Sequence, residues 1–359
     1  MNTNKITFNI SKKKLGEKYP TYFIADIAAN HDGSLLRAKR LIRLAAKAGA
    51  NGAKFQHFKA DTIVNKEQFD KKKKTAHQSK WTTSVYDVYK NASINNEWNK
   101  DLKKECKKNK IDFLTSPYDL NYVDAVNKFI PAYKIGSGDI TWKEILKKIA
   151  LKNKPVLLAT GASSMVDVIF ACKLILKINK KLVVMQCNTN YTSDEKNFKY
   201  INLNVLKNLK VKFGKKIILG LSDHTPGHAT VLGAITLGAR VIEKHFTDDN
   251  SRVGPDHKFS MNPKTWSEMI KESRRLEKAL GDGLKKIEKN ELESYYVQRR
   301  SVYTLKDLKK GHLLNKKDLI CLRPYIKNSI SPQVIDKFYG KKVKKNIPKN
   351  SIIKKKWLL

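Results

Sequence analysis

The chain has 359 residues, 41% of them apolar, and a formal net charge of +40 from 73 Lys and Arg against 33 Asp and Glu. That length accommodates one large domain plus a small one, and that apolar share can bury a sizeable core. The lysines run from Lys5 to Lys356, with dense runs only at Lys71–Lys74 and Lys341–Lys345. No aromatic-interleaved basic cluster accompanies them, so the charge reads as a solvated surface, with no specific nucleic-acid partner. Met1 to Leu15 is polar and lacks the apolar core of a secretory leader. No window holds 18 uninterrupted apolar residues, so no membrane span is expected. The cysteines, Cys106, Cys172, Cys187 and Cys321, have neither metal-type nor framework spacing. They read as reduced thiols of a cytoplasmic protein.

Short apolar segments with strand character recur in chain order at Tyr22–Ala28, Gly52–Phe58, Asp112–Ser116, Ala132–Gly136, Pro155–Thr160, Leu182–Cys187, Ile217–Leu221 and Ala239–His245. Their Val and Ile content suits strands buried on both faces. Helical stretches separate them. Leu35–Lys47 carries an apolar stripe at Leu41, Leu44 and Ala45, and Ser163–Ile178 and Pro263–Leu280 are similar. Pro263 suits a first-turn position after a capping Asn262. Asp32, just before Gly33-Ser34, is expected to cap the first helix. Eight such βα units predict an α/β fold, a (β/α)8 TIM barrel over residues 1–284. No G-x-G-x-x-G follows the first strand, which argues against an open dinucleotide-binding sheet. The stretch from Lys59 to Asn95 is too long for a plain connection and predicts a lid or rim. Residues 285–298 read as a charged linker, and 299–359 as a small β-rich domain near the lower size limit for independent folding.

In a barrel the active site lies at the C-terminal ends of the strands. This chain keeps polar residues there: Asp26, Asn30 and His31; Lys54 and Gln56; Ser116; Lys134, Ser137 and Asp139; Thr160; Asn188 and Tyr191; Ser222, Asp223 and His224; His245. Two of these close consecutive repeats of one pattern. Ile217–Leu221 leads into Ser222-Asp223-His224, and Ala239–Glu243 leads into Lys244-His245-Phe246. The helix expected at Ala229–Leu237 makes the two strands parallel neighbours, so both imidazoles face one pocket. A converging His224–His245 pair, with Asp223 and Asp256 nearby, points to a divalent metal site. Lys54 and Lys134 at inward strand ends suit an anionic ligand, with Ser116, Ser137 and Ser222 as donors.

The motifs Asn30-His31-Asp32-Gly33, Lys54-Phe55-Gln56, Lys134-Ile135-Gly136-Ser137-Gly138, Gly220–His224, Lys244-His245-Phe246-Thr247-Asp248 and Gly254-Pro255-Asp256 occur in this order. Arg299-Arg300-Ser301, Lys309-Lys310-Gly311 and Arg323-Pro324 follow. Together they resemble the sialic acid synthase family, also called N-acetylneuraminate synthase-like, with its antifreeze-like (SAF) C-terminal domain. The resemblance implies condensation of phosphoenolpyruvate with an N-acetylated mannose-type or diacetamido hexose. The products are a nine-carbon 2-keto acid of sialic, legionaminic or pseudaminic type and phosphate. It implies a Mn²⁺ or Mg²⁺ ion on His224 and His245. Phosphoenolpyruvate falls to Lys54, Ser116, Lys134, Ser137 and Ser222, and catalytic carboxylates to Asp26, Asp139 and Asp256. Gln56, Tyr191 and Arg323 fall on the sugar side. The family's homodimer is domain-swapped, so Arg323 would act in the partner's site. The family pattern has Glu where Asp26 and Asp139 stand and Ser where Ala159 stands, and the two shorter carboxylates imply room for a sugar bulkier than N-acetylmannosamine. Two alternatives stay open: a related barrel synthase acting on a phosphorylated sugar, and a basic nucleic-acid-binding protein on a degenerate barrel.

Overall fold

A computed structural model of the chain describes residues 6–71, 78, 81 and 83–359. Lys72–Lys74 of the basic run, and residues 72–77, 79, 80 and 82 of the expected lid, lie outside the described residues. The chain divides into two compact units, the first ending at Gly281 and the second running Asp282–Leu359.

The first unit opens with a hairpin, β1 (Phe8–Ile10) and β2 (Lys13–Leu15). Eight parallel strands follow: β3 (Tyr22–Asp26), β4 (Gly52–His57), β5 (Asp112–Pro117), β6 (Tyr133–Ile135), β7 (Val156–Ala159), β8 (Leu182–Cys187), β9 (Ile218–Asp223) and β10 (Val241–His245). They form a closed barrel, sealed where β10 pairs with β3 in the register Val241↔Tyr22 to His245↔Asp26. Every strand lies within two residues of its predicted limits.

Side chains alternate between two apolar layers because strand periodicity is two. Phe23, Ala53, Phe55, Val184 and Ile242 face outward and pack on the helices. Tyr22, Ile24, Leu157, Val183, Met185 and Val241 face inward. Phe8, Ile10 and Leu15 of the hairpin join that inner cluster and plug the N-terminal end of the barrel. Gly220 is an inward position where a Cβ would lie 2.8 Å from the Met185 side chain and 2.8 Å from the Val241 carbonyl, so only glycine fits between β8 and β10.

Several helices begin at side-chain caps. Leu35–Lys47 is capped by Ser34, whose Oγ accepts from the Arg37 amide at 3.3 Å. The expected Asp32 cap is therefore corrected: Asp32 sits in the left-handed region at φ 48° and points its carboxylate to Arg252 and His257. Met165–Ile178 starts at a Ser164–Asp167 capping box, and Pro263–Ala279 starts at Asn262 as predicted. The rim between 59 and 95 contains the short helices Ala60–Ile63, Lys66–Asp70 and Val85–Ala92.

In the second unit, residues read as linker include a helix, Leu292–Gln298, preceded by a turn closed by Glu288 and Glu291. Beyond it, β11 (Ser301–Thr304) pairs antiparallel with β12 (Leu319–Leu322). Val302, Leu308, Leu314, Val343, Ile347 and Ile353 form a separate core there. No described helix is long and apolar enough to cross a membrane.

The plug makes a checkable claim. Ile10 and Leu15 are 0% and 1% exposed. Ile10→Ala and Leu15→Ala should each cost about 2–4 kcal/mol, because the barrel floor cannot collapse into the space left. Urea denaturation should show a lower midpoint with an unchanged slope.

Candidate active site at the barrel mouth

Above the apolar inner layer, the same alternation turns a set of charges inward. Asp26 ends β3, Lys54 lies in β4, Lys134 in β6 and Glu243 in β10, all at most 4% exposed. Lys54 Nζ lies 2.7 Å from Asp26 and 3.6 Å from Glu243, and Lys134 Nζ lies 3.0 Å from Glu243. Burial alone would raise Glu243, but the Lys134 and Lys54 ammonium groups hold its carboxyl down at about 2. Burial pushes Asp26 up, against the pull of Lys54. Lys54 is raised: burial favours its neutral form, but Asp26 and Glu243 outweigh it. Ser222 donates to Glu243 at 3.2 Å. Two buried polar atoms of this set, Ser116 Oγ and Glu243 Oε2, have no protein partner. Buried polar atoms without partners are costly, and ligand groups are their natural complement.

Beside this box stand the two histidines. His224 follows β9 and His245 ends β10, with ring centroids 5.3 Å apart. The His224 ring is lowered to about 3 by burial and by the neighbouring His245, so it is neutral. Its Nδ1 lies 2.7 Å from the Asn188 carbonyl, which can only accept. Nδ1 therefore carries the proton, and Nε2 keeps the lone pair that a metal needs. His245 Nε2 is 3.5 Å from Asp26, and its Nδ1 is 4.0 Å from Asp256. Tyr191 packs on His224 at 4.4 Å, and Phe259 packs on His245 at 4.8 Å. The donors suit a divalent ion with mixed nitrogen and oxygen ligands. Among the described residues no three His, Cys, Asp or Glu groups are gathered around one point, so water or substrate oxygens would complete the shell.

Asp256 lies beside His245, and Asp139 lies in the turn Ser137–Asp139 that follows β6. Burial raises each to about 6. Asp256 also accepts from the Ala29 amide at 3.1 Å, which pins the loop after β3 to the loop after β10. Ser137 accepts from the Gly161 amide at 2.9 Å. A Cβ on Gly161 would lie 2.9 Å from that hydroxyl, so glycine is required for this approach. Gln56 sits opposite Ser116 in the β4–β5 register. Arg323 follows β12 in the second unit.

A family description, the NeuB family, matches residues 41–285, and the SAF domain matches residues 299–358. The chain belongs to the NeuB family. It is 37% identical to the N,N'-diacetyllegionaminic acid synthase of Campylobacter jejuni over 93% of this chain and 99% of that one. It is 33% identical to the enzyme of the same name from Legionella pneumophila, over 93% of this chain and 94% of that one. The solved N-acetylneuraminic acid synthetase of Leptospira borgpetersenii, in complex with citrate, superposes with a TM-score of 0.70 at 27% identity, over 81% of this chain and 95% of that one.

Within this NeuB-family barrel, three features escaped the sequence reading. Glu243 was taken as part of an apolar strand, yet it shares its inward face with Val241 and His245, and counting by twos from His245 would have found it. The same count removes Asp223 from the metal surroundings: it lies on the outer face, paired with Lys244. Phe259, over the histidines, had no local signal. Other strand-end polar residues are structural. Thr160 donates to the Met185 carbonyl at 3.0 Å, and Asn30 donates to the Phe246 carbonyl at 2.9 Å. His31 packs edge-on to Trp98 at 5.7 Å.

The raised Asp139 has a consequence for stability. Its folded-state pKa of about 6 exceeds the ordinary 3.8, so the folded protein retains a proton that the unfolded chain releases. The resulting stabilisation is complete below about pH 4 and lost as pH rises through about 6. Asp139→Asn should therefore match the parent at about pH 4. At about pH 8 it should be more stable by on the order of 1–2 kcal/mol, read by urea denaturation at both pH values.

Proposed function

We propose that this chain condenses phosphoenolpyruvate with an N-acetylated hexose of diacetamido type, giving a nine-carbon 2-keto sugar acid and phosphate. The observation that carries this reading is the buried box of two lysines and two carboxylates at the mouth of a NeuB-family barrel, next to the paired rings of His224 and His245. The relatives named as diacetyllegionaminic acid synthases support the sugar class, as do the shortened carboxylates Asp26 and Asp139.

Phosphoenolpyruvate brings a phosphate and a carboxylate. Lys54 and Lys134 exchange their contacts with Asp26 and Glu243 for these groups, and Ser116, Ser137 and Ser222 supply donors. Gln56 and Tyr191 face the sugar. A divalent ion, Mn²⁺ or Mg²⁺, held by His224 and His245 would polarise the sugar aldehyde as a Lewis acid. The methylene carbon of phosphoenolpyruvate forms the new bond to the aldehyde carbon as the carbonyl π bond opens. The aldehyde oxygen takes one of the protons that the adding water gives up and becomes a hydroxyl, and positive charge is left at C2. Asp26 and Glu243 stabilise that charge. Water adds at C2, and the C2–O bond to phosphate breaks, leaving the ketone. Asp139 and Asp256, each near 6, exchange protons with the adding water and the departing phosphate. In a domain-swapped homodimer, Arg323 would reach the sugar in the partner's site.

Phosphate release from phosphoenolpyruvate, with Mn²⁺ and a panel of acetamido hexoses, tests the reaction. Turnover is expected with 2,4-diacetamido sugars, whereas N-acetylmannosamine as the sole efficient substrate contradicts the sugar class. Lys134→Ala should raise the KM for phosphoenolpyruvate about ten- to a hundredfold, the loss of one charge-assisted contact. Unchanged kinetics would remove Lys134 from the site.

The dimer carries its own test. Arg323→Ala and His224→Ala should each be nearly inactive alone. After subunit exchange the mixture should regain partial activity, since one site per heterodimer is intact. Confirmed exchange without recovery excludes an in-trans Arg323.

A further inference from the structure

Directly behind the histidine pair, on the far face of the barrel wall, lies a second and separate ion pair. Lys244 Nζ is 2.5 Å from Asp223 Oδ2 and 2.6 Å from the Thr225 carbonyl. Asp223 in turn accepts from the Thr225 hydroxyl at 2.9 Å and from the Thr230 hydroxyl at 2.8 Å. Asp223 and Lys244 are 2% and 1% exposed. They are direct partners in the β9–β10 register. Each precedes one of the histidines by a single residue. Strand alternation therefore turns the histidines into the barrel and this pair outward, against the helix Ala229–Thr236 that carries Thr230.

We propose that Asp223 and Lys244 are positioning residues that set the spacing of His224 and His245, and so the affinity of that pair for a divalent ion. The inference rests on the reading of the two histidines as metal ligands. β9 ends at Asp223, so His224 lies one residue past the last ladder position, where backbone pairing no longer fixes the direction of the chain. The Lys244 ammonium spans both strands at that point, holding the side chain of Asp223 and the carbonyl of Thr225 on either side of His224. Thr230 anchors the same carboxylate to the following helix. The arrangement fixes the path of residues 223–225 relative to β10. A buried ion pair is a poor source of stability, because apolar residues of similar volume usually serve as well. What apolar packing does not supply is a directional bond at this one level of the wall.

The test separates stability from spacing. The double variant Asp223→Leu/Lys244→Met removes both charges together and leaves no orphaned buried ion. Thr230→Val removes one hydroxyl donor and keeps the pair. Melting temperatures of the metal-free proteins and Mn²⁺ dissociation constants, by calorimetry or electron paramagnetic resonance without substrates, are measured for both and for the parent. The parent should bind Mn²⁺. The double variant should melt near the parent and bind Mn²⁺ about ten- to a hundredfold more weakly, the range seen for residues that orient metal ligands. Thr230→Val should weaken binding in the same direction, by about threefold or more. A folded double variant with parental Mn²⁺ affinity overturns the positioning role while leaving the metal site standing. If the double variant does not fold, parental affinity in Thr230→Val overturns it instead. A parent that binds no Mn²⁺ overturns the metal reading and this inference together.

Discussion

The constraint on which the rest depends is charge balance inside a sealed barrel. Eight strands enclose a space that side chains fill, so charged groups there have almost no water. An isolated lysine or carboxylate in such a place would shed its charge. Lys54, Lys134, Asp26 and Glu243 instead sit as two cations against two anions, each within 3.6 Å of an opposite partner. The apolar floor of Phe8, Ile10 and Leu15 keeps solvent from below, and that seal makes the pairing strong. It also makes the box exchangeable from one side only. An anion entering from the mouth meets lysines already desolvated and aimed by their carboxylates. The entropy and desolvation of the cations have been met at folding rather than at binding.

The loops above the box are held with comparable care. The segment after β3 and the segment after β10 are tied by several bonds: Ala29 to Asp256, Asn30 to Ser260, and Arg37 to Asp248. Asp32 joins them again through His257 at 2.9 Å. Ala28 and Asp32 lie in the left-handed region without being glycine, a cost that surrounding contacts must offset. These ties place Asp256 4.0 Å from His245 and bring Phe259 over both imidazoles. The barrel supplies the lysines and histidines, and the cross-linked loops supply the wall above them.

How much of this could be read in advance follows from which signals are local. The barrel was legible because strands buried on both faces are short apolar runs, and helices between them carry their own caps at Ser164 and Asn262. Lys54, Lys134 and the two histidines were legible because polar residues at strand ends break those runs. Glu243 was not, because a single carboxylate inside an apolar run looks like an outward residue until the face of His245 is used as the reference. Asp223 failed for the converse reason: nearness in sequence to His224 says nothing about which side of the wall a residue occupies. The choice of Ser34 over Asp32 as helix cap depends on a left-handed turn that composition does not announce. The helix Leu292–Gln298 was hidden by its charged flanks, which read equally as linker. Phe259 reaches the histidines by tertiary packing alone.

The surplus of positive charge follows a different logic from the site. Within the barrel mouth cations and anions are matched, so the +40 of the chain is carried elsewhere. At physiological ionic strength such charge is screened beyond about 8 Å, and it acts on the approach of anions rather than on their final contacts. Selection among anions therefore falls to groups that water and salt do not reach. Lys134 is 3% exposed and Lys54 1%. A ligand competes there against Asp26 and Glu243, whose carboxylates already occupy the cations. Glu243 alone reaches both lysines, at 3.0 and 3.6 Å, so what this box accepts is set by the placement of four side chains rather than by the abundance of lysine.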